Sequence, residues 1–192
     1  MTLIESLYAQ GVRALREPRA AGADIIALGV PREALAPGLF AVVAISVILN
    51  TVSEALAPSP FVIITPFQMA ILLTLMMVSF SFAIAKIGQL MGGLGRFHDA
   101  LLLMIFLQVM FLPAVALQLV LSVVTPALAS LVTLVVMIFL TWVHLNFIAA
   151  LHGFTSLGRS FGVLVLSVVA TFFVLMFVAP LLVTPTGVLS DV

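Results

Sequence analysis

Cysteine is absent from this 192-residue chain, and only 7% of its residues are Asp, Glu, Lys or Arg. The first absence excludes disulfides, thiol redox chemistry and cysteine metal sites, and it leaves the redox compartment open. The second excludes the polar shell that a water-soluble domain needs. The formal net charge is zero, which argues against bulk nucleic-acid binding. Tyr and Trp each occur once, and the three histidines are not in metal-ligand spacing. The charge-rich stretch from Met1 to Arg32 has no unbroken apolar core with a small-residue cleavage site, so it does not read as a secretory signal. No H-E-x-x-H, paired acids or Ser/His/Asp set at one depth occurs, and neither does any motif of a nucleotide-driven pump. The residues thus predict no enzyme, no metal and no cofactor.

What the chain does have is hydrophobicity. Of its residues 64% are apolar and the mean hydropathy is +1.40. Five stretches, about 35–56, 66–88, 100–124, 127–151 and 160–183, are each about long enough to cross a bilayer as a helix. Span one is the weakest, because Ser46, Asn50, Ser53 and Glu54 interrupt it, and Pro58-Ser59-Pro60 ends it. Phe61 to Thr65 is too short to cross. Thr65-Pro66 and Thr125-Pro126 are start signals for spans two and four, with Thr at the N-cap and Pro at the first helical position. Asp99 is expected to cap span three, and Thr155 or Ser156 the last span. Pro113 should kink span three, and Pro185 and Gly187 close span five.

Residues 1–33 form a separate arm. Leu3, Ile4, Leu7, Tyr8, Val12 and Leu15 recur at helical spacing, Pro18 breaks that helix or starts another, and Gly29 and Pro31 close a short apolar turn. The arm reads either as an amphipathic segment in the membrane interface with its arginines toward headgroups, or as a helix packed on the ends of the spans. The fold expected is therefore an all-α integral membrane bundle of five transmembrane helices with an N-terminal amphipathic interfacial arm, the arm covering 1–33 and the bundle 34–192.

Orientation follows from the basic residues. Arg13, Arg16, Arg19 and Arg32 precede span one, Lys86 and Arg96 flank the loop after span two, and Arg159 sits in the loop after span four. The other connections carry no Lys or Arg. All five segments crossing, with the N-terminus cytoplasmic and the C-terminus periplasmic, puts every basic residue on one side. Without span one the arginines would be split between sides, so the charge parity supports that doubtful span.

Two groups of polar residues are candidates for function. Inside the membrane these are Asn50, Glu54, Gln108, His144 and Asn146. Glu54 with Asn50 reads as a proton or cation site or as an interfacial carboxylate, and His144 as a proton relay or as a histidine bonded to another helix. Gln108 and Gln118 read as interhelical hydrogen-bond partners. At the cytoplasmic side Arg13, Arg16, Arg19, Lys86, Arg96, His98, Asp99, His152 and Arg159 form a candidate face for a partner or for lipid headgroups, or an ordinary positive-inside rim. Lys86 is expected to snorkel. The loop Gly88–Arg96 looks like a phosphate cradle but lacks the Gly-Lys-Ser/Thr end and a preceding strand, which excludes nucleotide binding. The pairs Gly88/Gly92 and Gly158/Gly162 suit close helix approach.

The order of these parts resembles the Yip domain family (Ypt/Rab-interacting proteins), in particular its bacterial branch. "REPRAA" and "GVPREAL" precede span one, "MGGLGRFHDALLL" precedes span three, and Trp142 in span four leads into "LHGFTSLGRSF" before span five. The resemblance implies five spans with N-in and C-out and a non-enzymatic membrane factor. The Asp-Leu-Tyr-Gly-Pro signature of eukaryotic members, which bind small GTPases, is not in this sequence, so no functional residues carry over. The function expected is scaffolding, membrane shaping or recruitment at the cell inner membrane, with lipid and an unidentified membrane protein as partners and without nucleic acid or nucleotide. The alternatives are a small transporter or channel component, with Glu54, Asn50, His144 and the Pro113 kink lining one cavity, and an accessory subunit of a larger complex.

Overall fold

Residues 11–56 and 64–182 are described by a computed structural model, and among them there is helix and no strand. The elements are α1 (Pro18–Ala27), α2 (Arg32–Leu56), α3 (Pro66–Leu90), α4 (Phe97–Val124), α5 (Pro126–His152) and α6 (Leu157–Leu182), and residues 11–16 are helical as well. Five of them, α2 to α6, are long and apolar enough to cross a membrane. At 1.5 Å per residue the shortest spans about 38 Å, more than the roughly 30 Å hydrocarbon core. The apolar positions at 3–8, the Pro-Ser-Pro end of span one and the closing Pro185 and Gly187 lie outside the described residues.

The helix starts show which local signals act. Thr65 Oγ1 accepts from the Gln68 N–H (3.3 Å) while Gln68 Oε1 accepts from the Thr65 N–H (2.9 Å), a full capping box ahead of Pro66. The second Thr-Pro pair behaves differently. Thr125 is the single residue joining α4 to α5, its φ of −149° and ψ of 82° turn the chain, and its side chain makes no cap. Asp99 does not cap α4 either. Arg96 is the N-cap residue, and Asp99 lies in the first turn, accepting from Arg96 Nε at 3.1 Å. Its charge favours the positive end of the helix dipole there. Ser156 does cap α6, its Oγ accepting from the Gly158 N–H at 3.2 Å. Pro113 lies inside a helix that runs unbroken to Val124.

The N-terminal residues pack onto the bundle. Pro18, Ala21, Gly22 and Ile25 recur at helical spacing and are buried on one side of α1. They rest mainly on α5, then on α4. A Cβ on Gly22 would meet Phe147 Cδ1 at 3.1 Å, so the backbones approach closely. Ala14 is fully buried while Leu15 is exposed, so Leu15 of the expected apolar stripe lies off the seam and the small Ala14 lies on it. Arg13 pairs with Asp24, and Arg19 donates to the Phe154 carbonyl.

The core is lopsided. The main cluster draws on Ile84 and Ala85 near the end of α3, Ala100 to Leu107 near the start of α4, Val143 to Leu151 near the end of α5 and Val163 near the start of α6. Because the helices alternate in direction, these segments share one end of the bundle. The opposite halves of α5 and α6 carry exposed residues such as Leu131, Val135, Phe173 and Phe177. A smaller cluster of Val42, Val43 and Met77 holds α2 to the rest.

Candidate functional site

The well-packed end is organised around His152. Both helices that arrive there stop at a left-handed glycine, Gly92 (φ +86°) after α3 and Gly153 (φ +70°) after α5. Each stop returns an N–H to a carbonyl five residues back, Gly93 to Gly88 at 2.8 Å and Phe154 to Ala149 at 3.0 Å. Only glycine takes such φ values at little cost. The two ends meet when the loop after α3 wraps the imidazole. A Cβ on Gly88, Gly93 or Gly95 would lie 2.1, 2.3 or 2.6 Å from a ring atom of His152. His152 Nδ1 accepts from the Gly95 N–H at 3.1 Å, and Nε2 donates to the Ile84 carbonyl at 3.2 Å. The pairing fixes the Nε2–H tautomer of a neutral ring, since a carbonyl can only accept. Phe154 stacks on the other side, with centroids 5.2 Å apart.

This arrangement corrects two expectations. His152 is 2% exposed and does not belong to a surface face. Its ring is the plug of the glycine loop, because all its polar capacity is met inside. Gly88 and Gly92 are not a helix-packing pair, since Gly92 has left the helix and a Cβ there would meet nothing within 4 Å. Gly162 approaches only the tip of Met91, and Gly158 only Ser156. The glycines serve the histidine, and a signal for this was available: four glycines within eight residues, without a phosphate motif, mark a place where another group comes close to backbone.

The remaining basic-face candidates lie at that same end. Arg13, Arg16, Arg19, Arg96 and Arg159 are exposed, and so is Lys86, whose Nζ sits 5.9 Å from the Phe82 ring centroid. Asp99 is buried against Arg96. His98 is half-buried and bonds the Val30 carbonyl through Nε2 at 2.9 Å, tying the start of α4 to the α1–α2 connection. All seven Lys and Arg of the chain thus fall at or within about a turn of the ordered end.

The intramembrane candidates separate into different environments. Ser46 Oγ donates to the Val42 carbonyl (2.8 Å) and accepts from Gln108 Nε2 (3.1 Å), so Gln108 joins α4 to α2. Asn50 is exposed and donates to the Ser46 carbonyl at 2.8 Å. Glu54 is exposed a turn beyond it. Asn146 is buried and bonds the Trp142 carbonyl of its own helix at 2.8 Å. His144 Nδ1 bonds the Leu140 carbonyl at 3.0 Å, and the ring meets Phe80 edge-on at 6.2 Å, so its hydrogen bond stays within α5 and does not reach another helix. Ser46, which the sequence marked only as a weak point of span one, is the hub.

His144 and Gln108 share one feature. Both line a cleft of about 560 Å³ walled by α3, α4, α5 and α6. Its other walls are almost wholly apolar, including Phe80, Leu107, Phe111 and Leu164. Neither Asn50 nor Glu54 nor Pro113 reaches it. Among the described residues, no three His, Asp or Glu side chains are grouped to hold a metal ion. In comparison with known proteins the chain matches no family model, no curated protein and no solved structure.

Proposed function

We propose that the chain is a non-enzymatic protein of the cell inner membrane, akin to the bacterial branch of the Yip family, that scaffolds or recruits through its cytoplasmic face. The N-terminus is cytoplasmic and the C-terminus periplasmic in this reading. What supports it is the coincidence of all seven Lys and Arg with the end that carries the main core and the His152 socket. A docking face gains from a fixed shape and from charge that attracts anionic headgroups or an acidic partner surface. The transporter reading requires Glu54, Asn50, His144 and Pro113 on one cavity, and of these only His144 lines the cleft.

Freedom from cysteine makes the test clean. Single cysteines in place of Arg16, Arg96 and Ser156 are expected to react with a membrane-impermeant maleimide only after the inner face is opened. One in place of Leu128 should react from the outside. A photo-crosslinking residue at Arg16, Arg96 or Arg159 should capture a discrete partner or anionic lipid, and glutamates at the other two positions should abolish capture. The reading fails if the two ends label from the same side, or if the crosslinks are indifferent to charge. Substrate-dependent flux in proteoliposomes that Glu54→Gln abolishes would restore transport.

A further inference from the structure

The cleft between α3, α4, α5 and α6 holds polar groups that the packing of the chain does not use. His144 lies roughly two helical turns, on the order of 12 Å, from the end of α5 at His152. The cleft is therefore at hydrocarbon depth, where polar groups without partners are costly. The Leu140 carbonyl accepts from His144 Nδ1, so Nδ1 carries the proton and Nε2 of the neutral ring is an acceptor. Among the described residues Nε2 makes no hydrogen bond, and His144 is one of the residues lining the cleft. Gln108 spends one of its two amide N–H groups on Ser46, which leaves its Oε1 as a second acceptor and the other N–H as a donor among the lining residues. Thr171, also in the lining, is 6% exposed, and its Oγ1 has no partner. No Asp, Glu, Lys or Arg is among the lining residues.

The exposed lining residues are Met137 and Thr141 on α5, Val168 and Phe172 on α6 and Met76 on α3, so most of the opening lies along α5 and α6. It faces sideways at mid-span, the level of lipid chains. The volume of about 560 Å³ lies within the roughly 300–1,000 Å³ of small-molecule sites. The absence of charge disfavours a carboxylate or phosphate headgroup at this depth. His144 Nε2 and Gln108 Oε1 can accept, while the second Gln108 N–H and the Thr171 hydroxyl can donate. Such a set suits a ligand hydroxyl, which does both, and the apolar walls call for a hydrocarbon tail.

We propose that this cleft binds an uncharged single-chain lipid alcohol that enters between α5 and α6 and donates its hydroxyl to His144 Nε2. A long-chain alcohol and a monoacylglycerol share that chemistry. The full chain, purified in mild detergent, would be photolabelled with diazirine analogues of hexadecanol, of a monoacylglycerol and of palmitate, and the labelled peptides mapped. Labelling by one or both alcohols should saturate, concentrate on the cleft segments and yield to unlabelled competitor. Whichever alcohol labels at lower concentration identifies the source. His144→Phe should cut labelling at low probe concentration by roughly two- to tenfold, the worth of one hydrogen bond. Leu175→Trp, which fills the cleft from α6 without touching His144, should cut it further. Stronger labelling by palmitate, even labelling over all lipid-facing helices, crosslinks between two copies through the cleft, or labelling unmoved by both folded variants would each overturn the proposal.

Discussion

The imidazole of His152 stands where any side chain on Gly88 would have to go: Nε2 lies 2.1 Å from the position of a Cβ there, well inside contact distance. The two residues are 64 apart in sequence and belong to different spans. Gly88→Ala must push the ring out and cost it the bonds to Gly95 and Ile84. We expect a loss of about 1–3 kcal/mol, read from thermal unfolding in detergent. In a His152→Ala background the same change should cost at least about 1 kcal/mol less. Equal costs in both backgrounds would refute the socket.

Gly22 sets the docking of α1. A larger side chain there meets Phe147 and Ala150 in the first shell of atoms. Gly22→Leu should lift the helix and expose the backbone around Arg13, Arg16 and Arg19. Trypsin should then cleave within the arm several times faster than in the parent, with the bundle intact on the gel. Unchanged cleavage would mean the contact does not hold the arm.

The pair Gln108 and Ser46 couples α4 to α2. A cycle through Gln108→Leu, Ser46→Ala and the double variant should return a coupling of about 0.6 kcal/mol, the average for such bonds inside membranes, and no more than about 1.7 kcal/mol. A coupling near zero would show the bond to be incidental.

The two Thr-Pro pairs should respond unequally. Thr65→Ala removes a capping box and should cost about 1 kcal/mol. Thr125→Ala removes a buried hydroxyl that has no partner, so it should be neutral or slightly stabilising. Similar losses at both sites would contradict the observed cap geometry.

That contrast shows how far the sequence could be read. The spans were legible because lipid demands long apolar runs, and each expected run matches one helix to within three residues at either end, 160 against Leu157 for instance, with 183 itself outside the described residues. Thr65-Pro66 was legible as a local signal, while the Gln68 arm of its capping box was missed. Packing was not legible. In lipid the outward face of a helix is as apolar as the inward one, so periodicity does not mark the seam. Ala14, Ala21 and Gly22 share the arm's contact with Pro18 and Ile25, yet a hydrophobic pattern passes over the small residues. His152 looked like one more polar residue beside arginines, because nothing local to it reveals that a loop from another hairpin encloses it. The cleft escaped for the same reason: Gln108 and His144 sit on different spans, and only the fold sets them on one wall.

The uneven distribution of buried contacts has a consequence for how the molecule comes apart. Few side-chain contacts brace the halves of α5 and α6 that lead away from His152, and local opening begins where such contacts are fewest. Amide exchange should therefore advance toward the glycine loop as a front. The basic rim would be the last part to lose its form, still presenting its arginines when the distant ends of the helices had begun to fray.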